Sequence, residues 1–227
     1  MSAPRRALWP FAALSATYFA HIGFFNPYLP LWLKELGLSV TAIGALTAVQ
    51  SLTRVLAPYG WGWLSDHTGE RVRWLRFCAA AAGVFALGLL SLSPGAVSMA
   101  VLTVVLLGMF IHTSAMMPMS EAALAHWVSG SGDFDARRYG RIRLWGSLGF
   151  LVTVLVSGAW FERQGMSDFA QWTLGSLVLL NLTVWWLPNQ HEAVATHAQT
   201  ASVRGVLAQP SVRWFFASVF FHVLAHI

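Results

Sequence analysis

Charged residues and cysteine are both scarce in this chain. Asp, Glu, Lys and Arg together make up 10% of its 227 positions, against 56% hydrophobic residues, whereas about 25% of a soluble domain is charged. This balance excludes an ordinary soluble domain and indicates an integral membrane protein. Cys78 is the single cysteine, so an intrachain disulfide is excluded and the redox compartment stays open.

Recognisable enzyme motifs are missing as well. The sequence has no nucleophile elbow, phosphate loop or paired-carboxylate motif, so it predicts neither an enzyme nor a cofactor. His222 and His226 lie one helical turn apart, but the sequence near them offers no third ligand, so no metal or haem site is predicted. The glycosylation sequon at Asn181 lies inside an apolar run and is discounted.

Long apolar runs dominate what is present. A bilayer core of about 30 Å requires about 20 helical residues, and six segments meet this length within tolerance: 10–33, 42–64, 75–92, 100–127, 144–161 and 169–187. The 12 tryptophans all lie at or near the ends of these runs, which predicts an aromatic belt at the membrane surface.

The basic residues also lie at the ends of the apolar runs, so the net charge of +5 indicates topology and not nucleic-acid binding. With a cytoplasmic N-terminus, the outside loops hold only Lys34 and Arg163. The inside loops then hold the other terminal bases: Arg5, Arg6, Arg71, Arg73, Arg76, Arg137, Arg138, Arg141, Arg143, Arg204 and Arg213. The positive-inside rule therefore predicts a cytoplasmic N-terminus, in a multi-pass protein of a bacterial-type inner membrane.

The composition changes after the sixth run. Residues 189–211 are polar and rich in Thr, Ala and Gln, which predicts a cytoplasmic linker. Residues 212–227 begin a seventh apolar run that, at about 24 Å of helix, is too short for a full crossing. We therefore predict an all-α membrane protein with a six-helix bundle over residues 1–188 and an incomplete seventh helix. We also expect a truncated chain whose C-terminal half is missing, because a chain end in mid-bilayer would bury its carboxylate.

A short polar segment, residues 62–73, separates the second and third apolar runs. Gly62 favours a close approach of neighbouring helices, Gly69 can take the positive φ that reverses the chain, and Asp66 can pair with a base. A resemblance to the loop between helices 2 and 3 of the major facilitator superfamily is carried by four residues: Gly62, Asp66, Gly69 and Arg71. The resemblance implies that these four form a latch for the outward-open state. An ordinary charged turn is the alternative.

Arg54 lies in the middle of the second apolar run. A charge at that depth costs on the order of 2.5–3.5 kcal/mol, and proteins tolerate it where the group faces a wet cavity or a partner. Arg54 is therefore predicted to bind a substrate anion. The alternative is a structural ion pair with Glu121 or with the missing half.

Further polar residues lie inside or at the ends of other runs. Glu121, near the end of the fourth run, can face Arg141 and Arg143 at the start of the fifth, because the two runs form a hairpin. Nearby arginines favour an ionised carboxylate that accepts hydrogen bonds from substrate hydroxyls; a salt bridge that locks the hairpin is the alternative. Asn26 and His21 in the first run are predicted to line the pathway, with interhelical contacts as the alternative.

Three short matches extend the resemblance over essentially the whole chain. Gly-Arg-x-Arg at 140–143, with the acid near the end of the fourth run, resembles the lactose permease and phenylpropionate permease families of proton symporters. In the lactose permease family the matching acid and second arginine bind sugar, which implies that role for Glu121 and Arg143. Residues 53–56 and 139–147 look closer to the phenylpropionate permease group.

The resemblance implies a transporter that works by alternating access and carries an aromatic carboxylate, such as a phenylpropionate-like acid, together with H⁺. A sugar or nucleoside proton symporter is one alternative. A non-transporting half that assembles with a partner chain, or an inactive fragment, is another. The expected partners are a small solute, H⁺ and the lipid bilayer, with no nucleic acid.

Overall fold

A computed structural model describes residues 8–95, 97–129, 135–189 and 203–224. These residues form helices and turns, and they include no strand. Eight α-helices follow one another in this part of the chain: α1 Trp9–Glu35, α2 Val40–Thr68, α3 Arg71–Leu87, α4 Met99–Ser129, α5 Ala136–Gln164, α6 Phe169–Trp185, α7 Val203–Ala208 and α8 Pro210–Leu224. A 3₁₀ turn at Gly88–Ser91 continues α3. The all-helical prediction is confirmed.

Each of the six predicted spans coincides with one of the helices α1 to α6. By length and hydropathy, α2, α4, α5 and α3 with its 3₁₀ turn can each cross a membrane. Helix α6 has 17 residues and is shorter than that criterion requires. Helix α1 is long enough, but its polar and proline residues lower its hydropathy. Four spans are therefore supported directly, and the count of six stays a prediction.

The chain divides into two compact units, Met1–Ala193 and Val194–Ile227. In the second unit, α7 and α8 contact each other. Most of the predicted linker, residues 190–202, lies outside the described residues, as do Arg5, Arg6 and His226. The paragraphs below concern the first unit.

Helix α1 is the centre of the first unit. It packs against α5 on one side and α6 on another, while α4 packs against α2 and α3, and α3 contacts α6. Aromatic and aliphatic side chains fill the space between these helices, and the largest of those fully buried include Phe24, Phe110, Phe169 and Leu29. Helix α2 is the least buried, since only Leu46, Thr53 and Ser65 of its residues are buried.

Glycines allow α1 and α5 to approach each other closely. A Cβ added to Gly149 would overlap the backbone O, C and Cα atoms of Ala16, and one added to Gly146 would lie 2.6 Å from Ser15 Oγ. Small residues at helix interfaces are typical of membrane bundles, because they let backbones pack together. This contact, the α1–α5 seam, fixes the position of α5 against α1.

The close approach predicted at Gly62 is not found among the described residues, because a Cβ added there would meet no atom within 4 Å. Helix α2 presents that face away from its neighbours in the first unit. The reversal predicted at Gly69 is present: its φ is +68° and its N–H donates to Ser65 O at 2.9 Å, which ends α2.

Candidate functional site

Asn26 of α1 joins two residues of α2. Its side-chain oxygen accepts hydrogen bonds from Arg54 Nη2 at 2.9 Å and from Gln50 Nε2 at 3.1 Å. Gln50 and Arg54 are four residues apart, so both point from the same face of α2. We call Asn26, Gln50 and Arg54 the amide–arginine cluster.

The guanidinium of Arg54 has no carboxylate partner among the described residues, and its side chain is exposed. The alternative ion pair with Glu121 is therefore not formed in this structure. A guanidinium has five N–H donors, and the bond to Asn26 uses one of them. Arg54 thus keeps donors for an incoming anion, on a helix whose surroundings are largely apolar.

Glu121 of α4 forms an ion pair with Arg143 of α5. About a third of the Glu121 side chain and 40% of the Arg143 side chain remain exposed. The Arg143 guanidinium also lies 5.9 Å from the centre of the Phe19 ring on α1, within cation–π range. The pair therefore connects α4 to α5 beside the α1–α5 seam.

A small cavity of about 20 Å³ adjoins this ion pair. It has room for about one water molecule. Polar and apolar residues both line it: Phe11, Leu14, Ser15, Tyr18, Met117, Ser120, Glu121, Leu124 and Arg143. A solute larger than water would have to open the α1–α4–α5 contact to reach Glu121 from this side.

Tyr18 lies between the ion pair and the amide–arginine cluster. It lines the cavity at Glu121, its hydroxyl is 3.5 Å from Thr113 O, and it lies within electrostatic reach of Arg54. Sequence reasoning missed both Tyr18 and Gln50, because an uncharged residue in an apolar run stands out less than a charge. The four-residue spacing of Gln50 and Arg54 was the available signal.

His21 lies apart from both groups. Its side chain is only 2% exposed, its Nδ1 is 2.8 Å from Ser176 Oγ on α6, and its ring stacks on Phe25 with centroids 5.0 Å apart. A residue so enclosed cannot contact a solute in this conformation. His21 thus makes the interhelical contact that was its alternative, and its pathway role stays a prediction.

Arg141 forms no ion pair with Glu121 in the part of the chain that the structure describes. Positions two apart in a helix are separated by about 200° around its axis, so Arg141 and Arg143 face different neighbours. Arg141 lies at the surface beside Trp9 and Trp145, in a cavity of about 390 Å³. Of these two arginines, Arg143 is the one that pairs with Glu121.

The turn between α2 and α3 brings the predicted latch residues together. Arg71 Nη2 donates to Asp66 Oδ1 at 2.6 Å, with 63% of the Asp66 side chain and 13% of the Arg71 side chain exposed. Glu70, in the same turn, accepts a hydrogen bond from Arg73 Nη1 at 2.6 Å. The contact of Asp66 with Arg71 is present in the structure, whereas its role as a latch stays a prediction.

Comparison with known proteins gives a consistent picture. A model of the MFS_1 like family matches residues 8–226. Maltose permease of Geobacillus stearothermophilus is 30% identical over 205 residues, covering 89% of this chain and 50% of that protein. The probable 3-phenylpropionic acid transporter of Escherichia coli K12 is 29% identical over 142 residues, covering 63% of this chain and 35% of that protein.

The uncharacterized transporter YwbF of Bacillus subtilis is 28% identical over 152 residues, covering 65% of this chain and 36% of that protein. The names of these relatives are those of permeases and transporters, not of enzymes. This chain spans half or less of the length of each of them.

Proposed function

This chain belongs to the MFS_1 like family, and on that premise we propose that it is part of a transporter moving a small organic solute across a membrane by alternating access. In such transporters two helical bundles rock around a central binding site near the bilayer midplane. The first unit supplies one bundle in this proposal, and residues 189–211 serve as the cytoplasmic linker to the next. Six spans and a cytoplasmic N-terminus in a bacterial inner membrane belong to the same proposal.

The observation that carries the substrate class is the environment of Arg54. A guanidinium in a mostly apolar span, held by Asn26 and lacking a carboxylate partner among the described residues, suits a carboxylate brought by the solute. Tyr18 adds aromatic surface between this cluster and the ion pair, and Phe19 adjoins both Tyr18 and Arg143. We therefore propose an aromatic carboxylate as substrate, and the similarity to a probable 3-phenylpropionic acid transporter supports this choice.

Binding to the purified chain in lipid nanodiscs tests this proposal. Phenylpropionate should quench or shift the fluorescence of the native tryptophans in a saturable way. Arg54→Gln should remove most of this response, because it deletes the proposed partner of the carboxylate. Arg141→Gln is the matched control, since Arg141 is an exposed arginine that faces away from Glu121. Equal binding by wild type and Arg54→Gln would contradict the carboxylate assignment.

A sugar is the second candidate, and the ion pair of Glu121 with Arg143 favours it. A carboxylate and a guanidinium side by side can accept from and donate to the hydroxyls of one ring. The 30% identity to a maltose permease supports this candidate. Maltose binding that is lost in Glu121→Gln and retained in Arg54→Gln would favour the sugar over the aromatic acid.

We further propose that H⁺ accompanies the solute and that Asp66 with Arg71 acts as a conformational latch. The first role comes from the resemblance to proton symporters, and the second from the resemblance of residues 62–73 to the loop between helices 2 and 3 of the major facilitator superfamily. Uptake into cells or proteoliposomes that stops when a protonophore removes the proton gradient would support the first role. A chain that binds solute but is active only with a separate partner bundle would instead identify a non-transporting half.

A further inference from the structure

A second basic site lies far from the amide–arginine cluster, where α3 begins and α6 ends. There Arg73 and Arg76 of α3 and Trp185 and Asn189 at the end of α6 line a cavity of about 770 Å³. We propose that this cavity binds the headgroup of an anionic phospholipid. The proposal rests on the membrane placement of the chain but not on its substrate.

Two arginines, Arg73 and Arg76, give the cavity its positive charge, and they differ in how many contacts hold each side chain. Arg76 donates to Leu187 O at 2.7 Å and to Asn189 Oδ1 at 2.5 Å, and its guanidinium lies 5.3 Å from the centre of the Trp185 ring. Its Nε is buried and has no hydrogen-bond partner. The Arg76 side chain is therefore fixed in place, with a buried donor still unused.

Arg73 is the exposed member of the pair. Its side chain is 76% exposed, and its ion-pair partner is Glu70, three residues earlier. An exposed ion pair at this spacing is weak, because water screens both charges. Since Glu70 also lines the cavity, its carboxylate cancels one of the two positive charges. The remaining charge of +1 matches a single phosphodiester.

Two apolar stripes lead away from this basic end. On α3, the exposed residues Phe77, Ala80, Val84 and Leu87 recur at helical spacing after Arg73. From Phe77 to Leu87 the stripe extends about 15 Å, which is the thickness of one leaflet of a 30 Å hydrocarbon core.

A matching stripe lies on α6, where Trp185, Leu182 and Val178 are all more than half exposed. Helices α3 and α6 pack together, and Asn181 Nδ2 of α6 donates to Ala79 O of α3 at 2.9 Å. The two stripes therefore lie on neighbouring helices below one basic cavity. A phospholipid has this arrangement, with a phosphate group above two acyl chains. Free phosphate would need no apolar stripe. A protein partner would not require the positive charge to lie at one end of the two stripes.

General membrane physics supports the same occupant. Basic pockets between spans at the cytoplasmic surface bind lipid headgroups, and tryptophan prefers the level of the headgroups. Trp185 lies beside the Arg76 guanidinium and lines the same cavity. The cavity therefore combines a basic group with a tryptophan. Arg76 also holds the end of α6, so Arg73 is the better residue to change in a test.

The test uses the whole chain in nanodiscs made from equal amounts of phosphatidylglycerol and phosphatidylcholine. The chain is then released into mild detergent, and native mass spectrometry counts the lipids of each type that stay bound. We expect phosphatidylglycerol to be retained in preference to phosphatidylcholine. Arg73→Gln should lower this preference about fivefold, which corresponds to about 1 kcal/mol for one basic residue at a membrane surface.

Two further variants make the result specific. Glu70→Gln should raise the preference for phosphatidylglycerol, because it frees Arg73, and Glu70 makes no side-chain cap to α3 that its loss would remove. Arg163→Gln, at an exposed arginine in the last turn of α5, should leave the preference unchanged. The proposal is overturned if Arg73→Gln and Arg163→Gln behave alike, if both lipids are retained equally, or if excess inorganic phosphate displaces the bound lipid. Solute binding is unaffected by any of these outcomes, so failure here and failure of the proposed substrate are distinguishable.

Discussion

Replacing Gly149 with alanine tests the α1–α5 seam, on which the position of Arg143 depends. The new Cβ would overlap three backbone atoms of Ala16. Backbone cannot rotate away as a side chain can, so the two helices must separate. Overpacking of this kind costs about 1–3 kcal/mol. Against this, alanine gains about 1 kcal/mol over glycine inside a helix, so the net loss for Gly149→Ala is about 0–2 kcal/mol.

The matched control removes this uncertainty. Gly175 lies within α6, and a Cβ there would meet no atom within 4 Å. Gly175→Ala therefore gains the same helix propensity without the overlap. The propensity terms cancel between the two variants, so Gly149→Ala should be less stable than Gly175→Ala by about 1–3 kcal/mol.

The assay is unfolding in mild detergent followed by far-ultraviolet circular dichroism, with both variants measured beside the wild type. Gly149→Ala should also weaken solute binding, because a displaced α5 moves Arg143 away from Glu121. Equal stability of the two variants would refute the reasoning, since it would mean that α1 and α5 do not pack as closely as the structure shows.

Three further results are expected. Asp66→Asn removes the ion pair with Arg71 and should change stability by less than about 1 kcal/mol, because Asp66 is mostly exposed. It should instead alter the labelling of cysteines engineered into the binding cavity. Unchanged labelling would argue against a latch. For the sugar candidate, Glu121→Gln and Arg143→Gln should each reduce maltose binding, and a double-mutant cycle should give a clear coupling energy, whereas additive losses would show that the pair does not act together. Cys78, which is 0% exposed, should react with maleimide only when the chain unfolds, so rapid labelling of the folded protein would contradict the packing of α3.

Much of the fold could be predicted because membrane helices leave a strong pattern. Apolar length located α1 to α6 to within about four residues, except that α5 begins at Ala136, eight residues before the predicted span. The glycine at position 69 marked the end of α2. Charges inside or beside apolar runs were equally visible, so Arg54, Glu121 and Arg143 were all found. Burial of charge is costly in lipid, and a sequence therefore shows such residues plainly.

The orientation of each side chain could not be predicted in the same way. Arg141 and Arg143 have equivalent chemistry, and only the rotation of α5 decides which of them faces Glu121. His21 and Asn26 lie on one helix, yet His21 faces α6 and Asn26 faces α2. These differences depend on how the helices pack, and that information is distributed over many apolar residues.

One property of α1 gives Asn26 a second importance. Pro30 lacks an N–H, so the main-chain carbonyl of Asn26 has lost the donor that an ordinary helix would place four residues on, and Pro27 removes the donor for Gly23 in the same way. Helices bend most easily where such bonds are missing. Asn26, which binds Arg54, therefore lies where α1 bends most easily. A solute that draws Arg54 away from Asn26 would remove a contact between α2 and this part of α1.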